Sequence, residues 1–339
     1  MTHRVIARAP GKLFVLGEYA VLDGCPAVVA AIDRVVEVTV ESRRAGRGIR
    51  LDATVGCAEY SHINQLPDSG PWRFVAGALR AALYVCPGLA ARHISITIAS
   101  ALDHGPGTKL GLGSSAAVTV GVIAAACAAG GTHLNDKASR HRLFALALET
   151  HRRVQGQRGS GADIAASVYG GVLLFQPRQR TAEVTSLALP ANTRLLAGWS
   201  GEPSSTADLV ERYRAARNGS SAARAAFVAA SRTVVEEFVA GLAHDTLSSH
   251  AVLTNGDLLE QLANDLALPL MTPRLRELVA IARAHGAAAK ISGAGGGDCG
   301  IALAQDSDTA RRVRNAWKAA GLTALDINLT KQGVNIGFR

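Results

Sequence analysis

A chain of 339 residues with 48% hydrophobic and 19% charged residues has enough apolar surface for an ordered core, which excludes an intrinsically disordered protein. The formal charge of +9 indicates an anionic partner. Nucleic acid and a small phosphorylated substrate both fit that charge, although the basic residues are scattered and lack the interleaved aromatics of a single-strand binder. The five cysteines follow no metal-binding or disulfide spacing, which predicts a reducing, cytoplasmic environment.

The first hundred residues predict a mixed sheet backed by helices. Apolar and alternating runs predict strands at Val5–Ala9, Ala27–Ile32, Val35–Val40, Leu51–Val55 and Ile94–Ile98. The first strand is expected to end at Pro10-Gly11, and Lys12 after it is of the type that most often lies solvated in a turn. An amphipathic helix is predicted at Trp72–Tyr84.

The stretch Lys109–Ala117 is the most informative part of the chain. Glycines at positions 111 and 113 let the backbone approach a ligand closely. A helix that begins at the following serines directs free N–H groups and the positive end of its dipole toward that ligand, which predicts a phosphate site. Two alternatives are a glycine-rich turn with Ser114 as a simple N-cap and a membrane segment, since no charge occurs before Asp136. The small-residue composition disfavours the membrane segment.

The remainder of the chain alternates helices and strands. A helix is predicted at Asp136–His151, and a short one follows Gly159–Asp163, where Ser160 fits as a cap and Asp163 suits the first turn. Residues 177–190 are loop-rich and predict a boundary between two lobes. Further strands are expected at Leu195–Trp199, Cys299–Ala304, Leu325–Leu329 and Val334–Phe338, with a helix that begins at Thr272-Pro273.

A second glycine-rich element lies before the strand at Cys299. Four glycines within Gly293–Gly297 predict a backbone nest that wraps an anion. The alternative is a flexible hairpin connection between two strands.

Three glycine-containing motifs together resemble the signature motifs of the GHMP kinase superfamily. They are Pro10-Gly11-Lys12 with Gly17-Glu18-Tyr19, then Gly111–Ala116, then Ser292–Asp298. The resemblance implies an α+β fold with two lobes: an N-terminal domain like ribosomal protein S5 domain 2 over residues 1–180, and a C-terminal α/β sandwich over residues 181–339. The chain has no Walker A pattern and no protein-kinase catalytic loop.

Within the superfamily, the details are most similar to phosphomevalonate kinases. Tyr19 stands where mevalonate kinases usually have histidine, Lys109 directly precedes the phosphate loop, and Gln155-Gly156 is followed by Gly159–Asp163. This resemblance implies transfer of the ATP γ-phosphoryl group to 5-phosphomevalonate, with Mg²⁺ as cofactor. The alternatives are mevalonate kinase, another GHMP small-molecule kinase, or a GHMP-fold ligand sensor without catalysis. A monomer or homodimer is expected, without nucleic acid or membrane partners.

The resemblance also implies roles for individual residues. The catalytic residues would be Lys12, Lys109 and Asp163, with Asp163 mainly orienting Lys12 and the acceptor. The residues that would bind the ATP phosphates are Gly111, Leu112, Gly113, Ser114, Ser115 and Ala116. The residues that would contact the acceptor are Lys12, Tyr19, Ser160, Ser205, Thr206, Ser292, Gly293 and Ala294. Ser115 would bind Mg²⁺, and His151 occupies the position where related kinases have a second, glutamate ligand.

Overall fold

The computed structural model describes residues 2–44, 46–103, 105, 108–132, 136–179, 181–216 and 221–338. Its strands are β1 Thr2–Leu16, β2 Ala27–Arg43, β3 Gly48–Ala53, β4 Gly56–Tyr60, β5 His93–Ser100, β6 Val172–Pro177, β7 Ala182–Leu187, β8 Arg194–Trp199, β9 Ala288–Ile291, β10 Cys299–Ala304, β11 Thr323–Leu325 and β12 Asn335–Phe338. Its helices are α1 Arg73–Val85, α2 Ser114–Ala129, α3 Lys137–Val154, α4 Ala162–Tyr169, α5 Thr206–Ala215, α6 Ser221–Ala243, α7 Ser249–Asp265, α8 Pro273–Ala284 and α9 Ser307–Ala319.

The strands form two sheets, which confirms the predicted α+β class. The first has eight strands in the order β12-β1-β2-β5-β3-β4, with β6 and β7 added beside β2. The second has four strands in the order β11-β8-β10-β9. Strands β3 and β5 run parallel, whereas the other ladders of the described residues are antiparallel.

Strand β1 continues through Pro10-Gly11, so the prediction that it ends there was wrong. Its register against β2 shifts between Pro10 and Gly11. Such an irregularity accommodates a proline, which cannot donate to a ladder. The carbonyl of Pro10 accepts a hydrogen bond of 2.7 Å from the buried Ser167 hydroxyl of α4. The strand therefore carries Lys12 into the interior.

Strand β2 is one strand of 17 residues where two were predicted. Residues Ala27–Ala30 pair with β6, and residues Val36–Arg43 pair with β5. The strand that pairs with β2 therefore changes from β6 to β5 along its length, which the sequence does not reveal. This change lets one strand span the polar Asp33-Arg34 pair. Strands β4, β7 and β9 were not predicted, and β7 lies inside the stretch expected to be loop-rich.

Helix α2 lies on the first sheet and is almost completely buried. A Cβ atom at Gly121 would lie 2.7 Å from Cγ2 of Val38, so this glycine lets the helix backbone contact β2 directly. The uncharged run after Lys109 is therefore a core helix. It holds the phosphate loop rigidly at its N-terminus.

The second sheet packs against α8 and α9 around Leu196, Leu278 and Trp317. A strand was predicted at Leu325–Leu329, but β11 ends at Leu325. Leu329 instead forms an isolated bridge with Ile32 in the first sheet. This segment crosses from one sheet to the other, which a local pattern cannot show.

The division of the chain into domains at residue 180 stays a proposal. Strand β7 follows that position and pairs with β6 in the first sheet. Strand β12, at the end of the chain, pairs with β1 in the same sheet. The second sheet is built from residues 194–325 alone.

The predicted cytoplasmic location stays a prediction. All five cysteines are free. Within the part of the chain that the structure describes, no helix combines the length and apolar character needed to cross a bilayer.

Candidate active site

One cleft brings together almost all of the predicted site residues. Its volume of about 400 Å³ is in the range of small-molecule sites. The predicted residues that line it are Lys12, Tyr19, Lys109, Gly111, Leu112, Gly113, Ser114, Ser115, Ser160, Asp163, Ser205, Thr206, Ser292, Gly293 and Ala294. Ala116 is not among the lining residues, because its side chain is buried in the core. The individual roles stay predictions.

The phosphate loop is held in place from two sides. The backbone N–H of Lys12 donates to the carbonyl of Leu112 at 2.8 Å, and the thiol of Cys299 donates to the carbonyl of Leu110 at 3.0 Å. Gly113, with φ of 83°, is the N-cap of α2, so the alternative of Ser114 as the cap was wrong. As a glycine, Gly113 has no side chain with which to cap the helix, so the first N–H groups of α2 are available to an anion.

Gly113→Val is expected to reduce ATP affinity on the order of 100-fold, the cost of about two charge-assisted hydrogen bonds. A Cβ atom there would lie 2.9 Å from Cγ of Lys12, at a φ that L-residues rarely adopt. Calorimetric titration with ATP measures the effect. Gly131→Val, at the other end of α2, is the matched control, because φ is 91° there and nothing lies within 4 Å. Unchanged ATP affinity in a folded Gly113→Val protein would contradict this placement of the phosphates.

Lys12 is a buried residue of the cleft, so the solvated-turn alternative was wrong. Its side chain is 8% exposed, and Nζ donates to the carbonyl of Gly111 at 3.1 Å. A Cβ atom at Gly293 would lie 3.6 Å from the same Nζ. Lys12 therefore joins the phosphate loop to the third glycine-rich motif.

Asp163 lies half-buried in the first turn of α4, and Oδ1 accepts a hydrogen bond of 3.0 Å from the backbone N–H of Ile164. None of the ion pairs among the described residues joins it to Lys12. Its charge acts instead on Arg152 and His151, whose pKa values it raises against the lowering effect of burial. The expectation that Asp163 orients Lys12 finds no contact to support it.

Ser160 belongs to the segment that leads into α4. The N-cap of this helix is Gly161, and the hydroxyl of Ser160 accepts a hydrogen bond of 3.3 Å from the N–H of Ala162. Arg152 donates to the carbonyl of Ser160 at 2.9 Å. These contacts fix residues 160–163 against α3.

Ser115 faces His151 across a distance of 3.1 Å between Oγ and Nε2. Burial lowers the pKa of His151, so the ring is neutral at physiological pH. Its Nδ1 has no hydrogen-bond partner among the described residues. A neutral imidazole can accept a hydrogen bond from the Ser115 hydroxyl. The oxygen of that hydroxyl would then be free to face a cation.

Mg²⁺ prefers oxygen ligands, so the oxygen donors of the cleft decide where it could bind. Among the described residues, no group of three or more His, Cys, Asp or Glu side chains could hold a metal ion. Mg²⁺ in phosphotransfer sites uses only one or two protein ligands together with substrate phosphates. Ser115, which lines the cleft, fits that requirement. The nitrogen of His151 is a poorer Mg²⁺ ligand than oxygen.

The third glycine-rich motif, Ser292–Asp298, is hydrogen-bonded to β1 and to the segment after it. The hydroxyl of Ser292 donates to the carbonyl of Phe14 and accepts from its N–H, both at 3.0 Å. The hydroxyl of Tyr19 donates to the carbonyl of Ala294 at 2.6 Å. Burial raises the pKa of Tyr19, so this donor stays protonated. Both hydroxyls that were expected to contact the acceptor are thus engaged in holding the motif.

The glycine run itself connects the antiparallel neighbours β9 and β10, as the hairpin alternative predicted. It is nevertheless fixed in place, because the N–H of Gly296 donates to the carbonyl of Leu270 at 2.7 Å. The hydroxyl of Ser204 donates to the carbonyl of Gly295 at 2.7 Å. Ser205 caps α5 by accepting from the N–H of Asp208, and the exposed Thr206 begins that helix.

Asp298 is a cleft residue that the sequence analysis missed. A Cβ atom at Gly111 would lie 2.7 Å from Oδ2 of Asp298, so the carboxylate lies against the phosphate loop. Its Oδ1 accepts from the N–H of Ser204 at 3.0 Å. Burial raises its pKa, while Ser204, Lys12 and Lys109 act in the opposite direction. The feature of the sequence that could have identified Asp298 as a cleft residue is its position directly after the glycine run.

Glu18 and Lys290 form a buried ion pair beneath the cleft, which the sequence analysis also missed. The exposed fractions of their side chains are 2% and 0%. Nζ of Lys290 also donates to the carbonyl of Ile291 at 2.8 Å. Because Glu18 follows β1 and Lys290 lies in β9, the pair joins the two sheets.

Comparison with known proteins identifies two family domains in the chain. Residues 73–171 match the model of the GHMP kinases N terminal domain, and residues 243–322 match that of the GHMP kinases C terminal domain. A phosphomevalonate kinase from Streptomyces is 34% identical, across 97% of this chain and 98% of the relative. A mevalonate kinase from Aeropyrum pernix is 28% identical, across 97% of both chains.

A solved structure agrees with the fold. Streptococcus pneumoniae phosphomevalonate kinase, in complex with phosphomevalonate and AMPPNP, superimposes with a TM-score of 0.80 at 23% identity. It covers 96% of this chain and 99% of that one. The resemblance inferred from three short motifs thus extends over nearly the whole chain. The protein belongs to the GHMP kinase family.

Proposed function

We propose that this kinase transfers the γ-phosphoryl group of ATP to 5-phosphomevalonate, which gives 5-diphosphomevalonate and ADP. The observation that carries the proposal is a set of four cationic side chains that line one cleft: Lys12, Arg73, Lys109 and Arg158. Such an excess of positive charge suits a reaction that brings two polyanions together. The similarity to a phosphomevalonate kinase over nearly the full length supports the same acceptor.

The acidic residues of the cleft do not cancel this charge. Glu18 is paired with Lys290. Asp298 accepts a hydrogen bond from the N–H of Ser204, and burial raises its pKa while Ser204, Lys12 and Lys109 act in the opposite direction. Asp163 remains as the carboxylate that faces the substrates.

The chemistry of the acceptor decides what the protein must supply. The second pKa of a phosphate monoester is about 6, so near neutral pH the acceptor is already a nucleophilic dianion. Repulsion between that dianion and the γ-phosphate is the larger obstacle, because a unit charge pair at about 4 Å and an effective dielectric near 20 interacts by about 4 kcal/mol. Two lysines would offset this repulsion: Lys109, which precedes the loop at Gly111–Ala116, and Lys12, whose Nζ donates to the carbonyl of Gly111.

The phosphate loop and Ser115 account for nucleotide binding. The free N–H groups at the start of α2 would bind the β- and γ-phosphates. Mg²⁺, when bound with ATP, supplies further positive charge at the phosphate oxygens. Ser115 would hold the ion together with the substrate phosphates, and His151 would orient the Ser115 hydroxyl.

With ATP and Mg²⁺, the kcat/KM for 5-phosphomevalonate is expected to exceed that for mevalonate by about 100-fold or more. Mevalonate lacks the phosphate, so it loses one or two charge-assisted hydrogen bonds to the protein. A coupled ADP-release assay with both acceptors, homoserine and galactose measures this preference. Comparable specificity constants for the two mevalonate compounds would contradict the assignment.

A mevalonate kinase is the second candidate. The similarity to a mevalonate kinase is nearly as extensive, and Asp163 faces the cleft as a carboxylate that could serve as the base an alcohol acceptor needs. A sensor without catalysis is disfavoured by the shared location of Lys12, Lys109, Ser115 and Asp163. The same assay separates all three, since a sensor would release no ADP with any acceptor.

A further inference from the structure

We propose that Arg158 recognises the phosphate already present on the acceptor, and that it does so by exchanging its ion-pair partner Glu211 for that phosphate. The inference rests on the proposed function, since it names the residue that would separate a phosphorylated acceptor from an alcohol. Arg158 belongs to the loop between α3 and α4, and Glu211 belongs to α5. The pair connects two elements that border the same cleft.

The position of the pair places it at the mouth of the cleft. Arg158 is itself a lining residue, and Glu211 directly follows Val210, which lines the cleft from α5. Nη1 of Arg158 lies 3.1 Å from Oε2 of Glu211. Arg158 is therefore accessible to a substrate anion bound in the cleft.

Two of the other three cations that line the cleft are engaged in contacts within the protein. Nζ of Lys12 donates to the carbonyl of Gly111 in the phosphate loop. Arg73 donates to the carbonyl of Gly70 at 2.8 Å, and its guanidinium lies 4.7 Å from the ring centroid of Phe74. Lys109 directly precedes the phosphate loop. Among the described residues that line the cleft, Arg158 is the cation that is paired with an exposed carboxylate, Glu211.

The present partner is easily displaced. The side chains of Arg158 and Glu211 are 44% and 61% exposed, and a pair so accessible to water is held weakly. A dianionic phosphate offers the planar guanidinium two parallel charge-assisted hydrogen bonds, which is the geometry that favours arginine over lysine. The exchange replaces a weak pair with a stronger one only when a phosphorylated acceptor is present.

A neighbouring contact provides a control. Nη2 of Arg214 donates to the carbonyl of Gln157 at 3.0 Å, and so joins the same loop to the same helix. Arg214 does not line the cleft. Arg214→Gln therefore weakens the connection between α5 and the loop without removing a cation from the acceptor side.

Steady-state kinetics with four variants test the proposal. Arg158→Met is expected to raise the KM for 5-phosphomevalonate roughly 10- to 100-fold, as for the loss of a charged hydrogen bond, with kcat and the KM for ATP nearly unchanged. Arg158→Lys should fall between wild type and Arg158→Met. Glu211→Gln should lower the acceptor KM, because it frees the guanidinium. Arg214→Gln should leave the acceptor KM unchanged.

The direction of the Glu211→Gln effect separates recognition from a structural role. If Arg158→Met and Glu211→Gln raise the acceptor KM together, the pair merely holds α5 against the loop and the proposal is wrong. An effect of Arg158→Met confined to the KM for ATP also overturns it. A wild-type protein that phosphorylates mevalonate but not 5-phosphomevalonate instead contradicts the proposed function. Thermal unfolding of each variant confirms that the fold is intact.

Discussion

Lys109→Ala is expected to lower kcat roughly 10²- to 10³-fold, the usual effect of removing one electrostatic contact to a transition state. Lys109 lines the cleft beside the phosphate loop, where its charge lowers the pKa of Asp298 against the raising effect of burial. A side chain between two phosphate groups offsets several repulsive terms at once, each about 4 kcal/mol before screening. Turnover at saturating substrates measures the loss, and Lys109→Arg, which keeps the charge, is the control.

The matched comparison is Asp163→Asn, which is expected to lower kcat by no more than about tenfold. Removing a required base would lower kcat by about 10²- to 10⁴-fold. The side chains of aspartate and asparagine have nearly the same shape, so the substitution mainly removes the charge. Turnover of both variants is measured between about pH 6 and 9, above the second pKa of the acceptor phosphate. If Asp163→Asn is the more impaired protein and Lys109→Ala is barely affected, the charge-neutralisation account is wrong.

Lys290→Met is expected to destabilise the fold by about 3–5 kcal/mol, because it leaves the Glu18 carboxylate buried without its cation. Both side chains are almost inaccessible to water, and Oε2 of Glu18 already lacks a partner among the described residues. Burial lowers the pKa of Lys290, while the charge of Glu18 acts against that effect. Urea-induced unfolding, followed by circular dichroism, measures the change.

The double variant Glu18→Leu/Lys290→Met tests the cause of that loss. Apolar replacement of a whole buried pair is often neutral or stabilising by about 1–4 kcal/mol. The double variant should therefore recover most of the stability that Lys290→Met loses. A double variant as unstable as the single one would show that packing around Lys290, and not an unpaired charge, holds the two sheets together.

The sequence was sufficient for the parts of the site that depend on local backbone. Gly111 and Gly113 adopt the left-handed conformations that a loop against phosphate requires, and α2 follows as predicted. The type of most elements was also predictable, because apolar periodicity is a local property. Strand lengths were not, since β2 is long only because its neighbour changes from β6 to β5.

The remaining parts of the site depend on contacts between distant segments. Glu18 and Lys290 are 272 positions apart, and neither has a local pattern that marks it as a member of a pair. Ser292 and Tyr19 line the cleft, but their hydroxyls hydrogen-bond to the carbonyls of Phe14 and Ala294. Which atoms of a cleft residue are free is decided by tertiary hydrogen bonds. A motif specifies the residue and not its partner.

The identity of the product tests the central proposal most directly. The protein is incubated with ATP, Mg²⁺ and 5-phosphomevalonate, and the reaction is followed by ³¹P nuclear magnetic resonance. The account predicts that the phosphate monoester signal of the acceptor is replaced by two coupled signals of a new diphosphate, while ADP accumulates. A monoester signal that persists, together with conversion of mevalonate to a new phosphate monoester under the same conditions, would contradict it.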